Sequence, residues 1–418
     1  MCKFSWPLLA AVLLFRAALA QGSPAASEPP SLTLPQALAL ALQHNPGLAA
    51  ARADVDASSG ARLQAQARPN PALSVLLEDT RRDTRTTTVQ INQPIELGGQ
   101  RAARVDAADR GVALAQADLD MRRLAVHAEV VTAFFDLLAI QERTRVAEAS
   151  LALAQRSTRA ATGRVQAGKV SPVEQTKARV AEAGIRLELA QVRGEEVSAR
   201  ARLDQSLGRP VGAPLSGYAL TGRLADLPAV PAESRVRDLL ADAPALRRAR
   251  LEVQRREAMT ALEQARRMGD LTVSLGARRD VSAGRSQAVV GLSIPLPLFD
   301  RNQGNVQEAM GREDGARQAL EVARAQAESQ ALQAREGLAL AGAEARALTD
   351  DILPGAQSAF DAATRGFELG KFSFLEALDA QRTLLGARTQ YLRALAQAHR
   401  AAAELNRILG IETLPGTP

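Results

Sequence analysis

The chain has little of three residue types that most globular enzymes use. Its 418 residues include one cysteine, Cys2, one tryptophan and two tyrosines, and aromatic residues make up only 3%. A single cysteine excludes a disulfide within the chain. So few aromatics also argue against a surface on which nucleic-acid bases could stack. Alanine and leucine must therefore form most of the packed core.

An excess of charge of one sign is also missing. The chain has 52 Lys and Arg residues against 46 Asp and Glu residues, a formal net charge of +6. Over this length the balance predicts a mixed-sign surface, so nucleic acid is not an expected partner. The histidines, His44, His127 and His399, are too scattered for a metal site, and no Ser/His/Asp grouping indicates an enzyme. The sequence predicts no metal site and no cofactor.

The first 20 residues have the pattern of a secretory signal peptide. Lys3 precedes an apolar stretch at residues 5–15, and Ala18-Leu19-Ala20 forms a small-residue cleavage pattern. An uncleaved amphipathic anchor is the alternative. Beyond this segment no run of about 20 apolar residues occurs, so no transmembrane helix is predicted, and a membrane-spanning part would have to consist of strands.

Three short strings recur in the same order about 200 residues apart. They are NPGLAAAR at 45–52 with APALRRAR at 243–250, AGKVSPVE at 167–174 with LGKFSFLE at 369–376, and SLGRP at 206–210 with ILGIE at 408–412. The shared order indicates an internal duplication. We predict repeats at 21–208 and 236–418, joined by a Pro/Gly-rich connector at 209–235.

Long spans without proline, rich in Ala, Leu, Arg, Gln and Glu, indicate long helices. We predict helices at about 98–166, 172–207, 303–368 and 373–409. The first would be on the order of 100 Å long, which does not fit inside an ordinary compact domain. Pro354 is expected to kink or divide the third helix.

Two alternating segments precede the first long helix of each repeat. They predict strands at about 72–79, 86–94, 270–278 and 286–295, each with one apolar and one polar face. Nine or ten residues suit a tilted strand that crosses a bilayer, with the apolar face toward lipid. The alternative is a pair of amphipathic hairpins packed on soluble helices.

Four strands leave two edges whose backbone groups have no partner, and hydrocarbon cannot supply one. One chain therefore cannot close a barrel. Two chains would give eight strands around a filled interior, whereas three would give twelve and begin to leave an aqueous passage. The strand count alone permits either assembly.

Two strings at equivalent places in the repeats carry a family resemblance. QPIELGGQR at 93–101 and IPLPLFDRNQGN at 294–305 each lead from a strand into a long helix. With the duplication, they make the chain resemble the outer membrane factor family typified by TolC, and most closely its heavy-metal branch, the CzcC-like channels of cobalt, zinc and cadmium efflux. The resemblance covers essentially the whole mature chain.

The resemblance implies a mainly α fold with a small β part. Three copies would form a twelve-stranded β-barrel in contact with lipid in the Gram-negative outer membrane, continuous with an α-helical barrel through the periplasm. The homotrimer would dock with a periplasmic membrane fusion (adaptor) protein and an inner-membrane pump of the resistance-nodulation-division type. It would act as a passive exit duct for heavy-metal cations, of the cobalt, zinc and cadmium type or of the copper and silver type, and not as an enzyme.

Two alternatives to the metal-efflux duct remain open. One is the same outer membrane duct serving drug efflux or type I protein secretion. The other, of a different class, is a soluble periplasmic coiled-coil scaffold or adaptor.

The resemblance also implies two kinds of site. Gly168, Lys169, Gly370 and Lys371 would lie at the periplasmic hairpin tips that meet the adaptor, although Gly-Lys could merely terminate a helix. Glu376 and Asp379, three residues apart on one helix face, would form carboxylate rings that narrow the periplasmic entrance and attract cations. The alternative is a pair of exposed acids balanced by Arg382.

Overall fold

The chain folds into long helical hairpins attached to one small sheet. The structure, a computed structural model, describes residues 31–79, 81–209 and 219–412. The predicted signal peptide at 1–20 and residues 210–218 of the predicted connector lie outside these ranges. The described chain is mostly helical, which confirms the predicted mainly α fold.

The elements alternate in the same order in both halves of the chain. The helices are α1 (Leu34–His44), α2 (Pro46–Gln66), α3 (Gln100–Gln166), α4 (Pro172–Ser206), α5 (Glu233–Leu240), α6 (Pro244–Ala265), α7 (Gln303–Ala347), α8 (Leu353–Glu368) and α9 (Phe374–Leu409). The strands are β1 (Ser31–Thr33), β2 (Ala72–Glu78), β3 (Thr86–Ile95), β4 (Ala219–Thr221), β5 (Leu271–Asp280) and β6 (Arg285–Ser293).

The sequence analysis did not predict α1, α2, α5 or α6. Only long spans without proline were assigned to helices there, whereas Pro46 and Pro244 begin α2 and α6. Proline is tolerated at the first helical position because that N–H has no partner within the helix. Helix α5 begins at Glu233, inside the predicted connector.

The longer strands form one antiparallel sheet in the order β2-β3-β5-β6. Ile91 lies opposite Leu73 on one side and Leu275 on the other, so apolar residues of both repeats share one face. Strand β3 continues through Pro94 to Ile95, with Pro94 opposite Thr272. Strands β2 and β6 form the two edges, and neither has a second neighbour within the described residues.

A π-helical turn separates α7 from α8. It spans Leu348–Ile352 and ends two residues before Pro354. Proline has no N–H to donate to the carbonyl four residues earlier, and its ring crowds that carbonyl, so the regular helix is interrupted there. The counterpart α3 has no proline and continues for 67 residues.

The helices lie side by side in a slab. Along its length the slab has a half next to the sheet and a half far from the sheet, and each half contains helices of both repeats. In the half next to the sheet, α3 packs between α2 and α6, and α7 packs on α6. In the far half, α3 packs between α4 and α9, and α7 and α8 pack on α9. Helix α3 is long enough to take part in both halves, about 100 Å at 1.5 Å per residue.

Helices meet end to end where the two halves join. The end of α4 meets the start of α2, where the Asn45 side-chain amide donates to the Ser206 carbonyl oxygen at 3.0 Å. The end of α9 meets the start of α6, where Gly410 contacts Pro244. We call these contacts the first and second junctions. The recurring strings NPGL, APAL, SLGRP and ILGIE therefore lie at equivalent junctions of the two repeats.

The largest apolar cluster lies at the level of the junctions. Leu34, Leu38 and Ala41 of α1 are buried against the middle of α3, which contributes Val130 and Phe134. The short strand β1 pairs in parallel with β4 beside this cluster. Helix α3 contains an 18-residue window apolar enough to span a membrane by length and composition. More than half of that window is buried inside the protein, as in a core helix.

Candidate functional site

The two hairpin tips end their first helices in the same way. Gly168 and Gly370 have φ angles of +68° and +73°, in the left-handed region that glycine adopts without a Cβ penalty. The Lys169 N–H donates to the Arg164 carbonyl oxygen at 2.9 Å, and the Lys371 N–H donates to the Gly366 carbonyl oxygen at 2.8 Å. With the glycine N–H bonds to Val165 and Phe367, these contacts complete a Schellman motif at each tip.

The predicted tip residues are exposed. Lys169 and Lys371 follow the two glycines and point into solvent. A Cβ built on Gly168 or Gly370 would meet no atom within 4 Å. The tips therefore offer two open, positively charged turns at the end of the molecule farthest from the sheet.

Serine begins the second helix of each hairpin. The Ser171 hydroxyl accepts from the Val173 N–H at 3.3 Å, and the Ser373 hydroxyl accepts from the Glu376 N–H at 3.3 Å. At the second tip the Glu376 carboxylate also accepts from the Ser373 N–H at 2.6 Å, which completes a capping box. Glu376 therefore caps α9, a role that the sequence analysis did not assign to it.

The proposed gate pair is exposed in the single chain. Glu376 and Asp379 lie on the first two turns of α9, and both side chains are accessible. Within the described part of the chain, Arg382 makes no ion pair with either carboxylate. The structure therefore gives no support to a pair of acids neutralised by Arg382.

Arg164 links the two tips, and the sequence analysis missed it. Its Nη2 donates to the Phe367 carbonyl oxygen at 2.8 Å, and its guanidinium carbon lies 4.4 Å from the centroid of the Phe367 ring. Ala161, Ala178 and Leu378 are buried in the same apolar cluster as Phe367. An alignment of the two repeats could have drawn attention to this residue, because Arg164 occupies the position at which the second repeat has Gly366.

The side chain of Phe372 explains why the second repeat has a glycine at position 366. A Cβ built on Gly366 would lie 2.2 Å from the Phe372 ring, so only glycine leaves room for it. The first tip has Val170 at the position equivalent to Phe372. The two tips thus share a backbone but differ in side-chain contacts.

A charged groove of about 1170 Å³ lies at the level of the junctions, between α3, α7 and α9. Three of its carboxylates each have an arginine partner within it: Glu129 with Arg122 at 3.2 Å, Asp136 with Arg400 at 2.7 Å, and Glu404 with Arg407 at 2.6 Å. The hydrogen bond from Arg407 lowers the pKa of Glu404 below its usual value. Carboxylates neutralised in this way are poor ligands for a passing cation.

His399 takes part in packing, whereas His44 is exposed. His399 is 1% exposed, stacks on Phe135 with centroids 3.6 Å apart, and places its Nε2 2.9 Å from the Leu224 carbonyl oxygen. Burial lowers the pKa of His399, and it also lowers the pKa of His127. Among the described residues, no three His, Cys, Asp or Glu side chains are grouped so that they could hold a metal ion.

The sheet exposes its apolar face. Leu73 is 70% exposed and Leu292 is 73% exposed, on the face that also carries Ile91 and Leu275. On the opposite face Thr86 and Thr88 are buried, and Asn92 hydrogen-bonds to Ser74 and Ser274. In a soluble protein a sheet buries its apolar face and exposes its polar face to water. Here the apolar face is exposed and the polar face is partly buried, as in a strand whose apolar face contacts lipid.

A small open-edged sheet with an exposed apolar face, continuous with a helix about 100 Å long, is the arrangement expected of a membrane-spanning sheet that is joined to a long helical extension outside the bilayer. The comparison with known proteins agrees. The chain belongs to the outer membrane efflux protein family, which it matches over residues 37–209 and 236–411. Family membership places it in the outer membrane, with its helices in the periplasm, and decides against a soluble scaffold or adaptor.

Individual proteins show the same relationship. The chain is 46% identical over 379 residues to the cobalt-zinc-cadmium resistance protein CzcC of Cupriavidus metallidurans, covering 91% of this chain and 90% of that protein. It is 30% identical to the nickel-cobalt-cadmium resistance protein NccC of Alcaligenes xylosoxydans xylosoxydans, covering 77% and 73%. The crystal structure of the outer membrane protein VceC from Vibrio cholerae has a TM-score of 0.74 at 20% identity, covering 90% and 96%.

Proposed function

We propose that three copies of this chain form the outer membrane duct of an efflux system for divalent heavy-metal cations. The open-edged sheet carries this proposal. Ten residues of β3 at about 3.4 Å each, tilted by about 40°, cover about 26 Å, close to the apolar height of an outer membrane barrel. Twelve strands from three chains would pair β2 of one copy with β6 of the next and leave a water-filled interior.

Exposed apolar residues at the two outer edges of the slab support the same assembly. Helix α4 packs on α3 with one side, and its other side exposes Val173, Val180 and Leu187. The opposite edge of the slab exposes Leu340 of α7 and Ile352 of the π-helical turn that precedes α8. In a ring of three copies α4 of one chain would cover α7 and α8 of its neighbour, which removes these side chains from water.

The cargo is inferred from the relatives. CzcC and NccC are named for resistance to cobalt, zinc, nickel and cadmium. We expect the energy for transport to come from an inner-membrane pump of the resistance-nodulation-division type, joined to this duct by a periplasmic adaptor.

Two measurements test the duct and its cargo. Purified protein in mild detergent should have the mass of a trimer by native mass spectrometry, and a monomer would contradict the assembly. A strain lacking the chain should become sensitive to cobalt, zinc or cadmium and recover when the chain is restored. Unchanged metal tolerance together with new drug sensitivity would instead favour a drug-efflux duct.

We propose that the adaptor contacts Gly168, Lys169, Gly370 and Lys371. The two lysines are exposed on open turns, and their charge can complement an acidic partner. The double variant Lys169→Glu/Lys371→Glu should lose cross-linking to the adaptor while remaining trimeric. Lys177→Glu, an exposed lysine on α4, is the control. Equal cross-linking in all three proteins would remove the tips from the interface.

We also propose that Glu376 and Asp379 form the gate at the periplasmic entrance, where a trimer would gather six carboxylates. The negative charge of Glu376 can be removed without removing its capping role, because a glutamine side chain also completes a capping box. The variant Glu376→Gln/Asp379→Asn should therefore keep its thermal stability and lose cation selectivity in planar bilayers. Glu174→Gln at the first tip is the matched control. Unchanged selectivity in the double variant would exclude the pair from the gate.

A further inference from the structure

The apolar face of the sheet ends abruptly at the side away from the helices. Directly paired residues on neighbouring strands share a face, so they form rows across the sheet. Two apolar rows consist of Leu73, Ile91, Leu275 and Val290, and of Val75, Val89, Ala277 and Ala288. The next row, farther from the helices, consists of Leu77, Thr87, Arg279 and Ser286. On β3, β5 and β6 the face therefore changes from aliphatic to basic and hydroxylic within one row, whereas β2 keeps an aliphatic residue there.

A second arginine extends this basic end. The Val281 N–H donates to the Arg85 carbonyl oxygen at 3.2 Å, so β3 and β5 remain paired beyond Thr86 and Asp280. Arg85 then shares the apolar face with Thr87, and Arg85 and Arg279 are diagonal neighbours, whose Cα atoms lie roughly 7–8 Å apart in such pairs. Both side chains are exposed. Neither makes an ion pair within the described residues.

The carboxylates near these arginines are engaged in holding the turns. The Asp79 carboxylate accepts from the Arg81 N–H and the Thr84 hydroxyl. The Asp280 carboxylate accepts from the Ser282 hydroxyl and the Ala283 N–H. Residues 78–85 and 278–285 together contain six arginines and four carboxylates, so this end of the sheet is net positive in each chain.

We propose that Arg85 and Arg279 bind the phosphate groups of a phosphorylated glycolipid in the outer leaflet of the outer membrane. The inference rests on the apolar face pointing to lipid, as in the proposed duct. The helices leave the sheet on the periplasmic side, so these arginines lie at the outer surface. A planar guanidinium donates two parallel hydrogen bonds to a phosphate. The aliphatic rows below would contact the acyl chains, and a trimer would carry three such sites.

Lipid retained by the purified protein tests the proposal. Protein extracted in mild detergent is analysed by mass spectrometry for bisphosphorylated lipid A per chain, in wild type and in the Arg85→Gln/Arg279→Gln variant. The control is Arg278→Gln, which removes one positive charge at the same height on the opposite, polar face, whereas the double variant removes two. Its ion pair with Glu78, 3.6 Å long, is exposed and adds little stability. The double variant should retain less than half of the wild-type lipid, and the control should retain all of it.

A second measurement uses only the wild-type protein. Added bisphosphorylated lipid A should raise its unfolding temperature at concentrations about tenfold lower than lipid A from which both phosphates have been removed. Equal effects of the two lipids, or equal retention by wild type and the double variant, would overturn the proposal. Planar-bilayer conductance separates it from the duct itself, because the double variant should still conduct as a trimer.

Discussion

The first junction predicts that Gly208→Ala is much more harmful than the same change at a hairpin tip. Gly208 has a φ angle of +71°, and a Cβ there would lie 2.3 Å from the His44 carbonyl oxygen and 2.7 Å from the Asn45 Cα. These are backbone atoms of another helix end, so they cannot move aside as a flexible side chain would. Gly168 has nearly the same φ angle, +68°, with no atom within 4 Å of its Cβ position.

The two substitutions therefore share one energetic cost and differ in another. Left-handed backbone costs an alanine roughly 1–2 kcal/mol at either position. Forcing the α4 and α2 ends apart adds about 1–3 kcal/mol at Gly208 only. We expect Gly208→Ala to lower the free energy of unfolding by about 2–5 kcal/mol and Gly168→Ala by about 1–2 kcal/mol.

Circular dichroism at 222 nm of the detergent-solubilised protein, followed during heating, measures the difference. Gly208→Ala should unfold at a clearly lower temperature than Gly168→Ala, and Gly168→Ala only slightly below wild type. Equal unfolding temperatures for the two variants would refute the end-to-end contact as a source of stability. Gly410→Ala, whose Cβ would lie 2.9 Å from the Pro244 ring, should fall between them, because a side chain gives way more easily than backbone.

Three further predictions concern single side chains. Asn45→Ala should destabilise the chain by about 2–3 kcal/mol in thermal unfolding, because it removes a helix cap and leaves the buried Ser206 carbonyl oxygen unpaired. Arg164→Ala should raise the conductance of the resting channel, since it breaks the bond that ties the tips together, whereas Arg159→Ala, an exposed arginine on the same helix, should leave it unchanged. His399 is held neutral by burial, with Asp226 as the nearby charge acting in the opposite direction. Its stabilising contribution is therefore complete above about pH 6.5 and is lost as the pH falls below that value. The unfolding temperature of His399→Gln should accordingly vary less between pH 7.5 and 5 than that of wild type; identical profiles would contradict this.

The long elements could be predicted because their signals are local. The absence of proline from 95 to 171 and the alternation of Val89 and Ile91 with polar residues each specify a single helix or strand. Residues 100–166 form one helix, and 86–95 form one strand. The interruption of the long helix before Pro354 could also be predicted locally, because proline lacks the backbone N–H that a regular helix requires.

The contacts between distant segments could not be predicted on that basis. Arg164 and Phe367 are about 200 residues apart, and nothing in either helix alone indicates that they meet. The recurring strings indicated a duplication, but their role as end-to-end junctions became visible only when α4 and α2 were placed together. Glu376 shows the opposite case, since the Ser-x-x-Glu pattern that caps α9 was present in the sequence and was interpreted only as a gate.

The unpartnered edge strands bear on how the protein reaches its membrane. A lone copy has two rows of free N–H and C=O groups along β2 and β6, each of which would cost several kcal/mol in hydrocarbon. In the proposed trimer, insertion and ring closure are therefore expected to be coupled, and resistance to heating should depend on how many sister chains are present. Dilution before insertion should then reduce the yield of inserted protein even when no strand residue is changed.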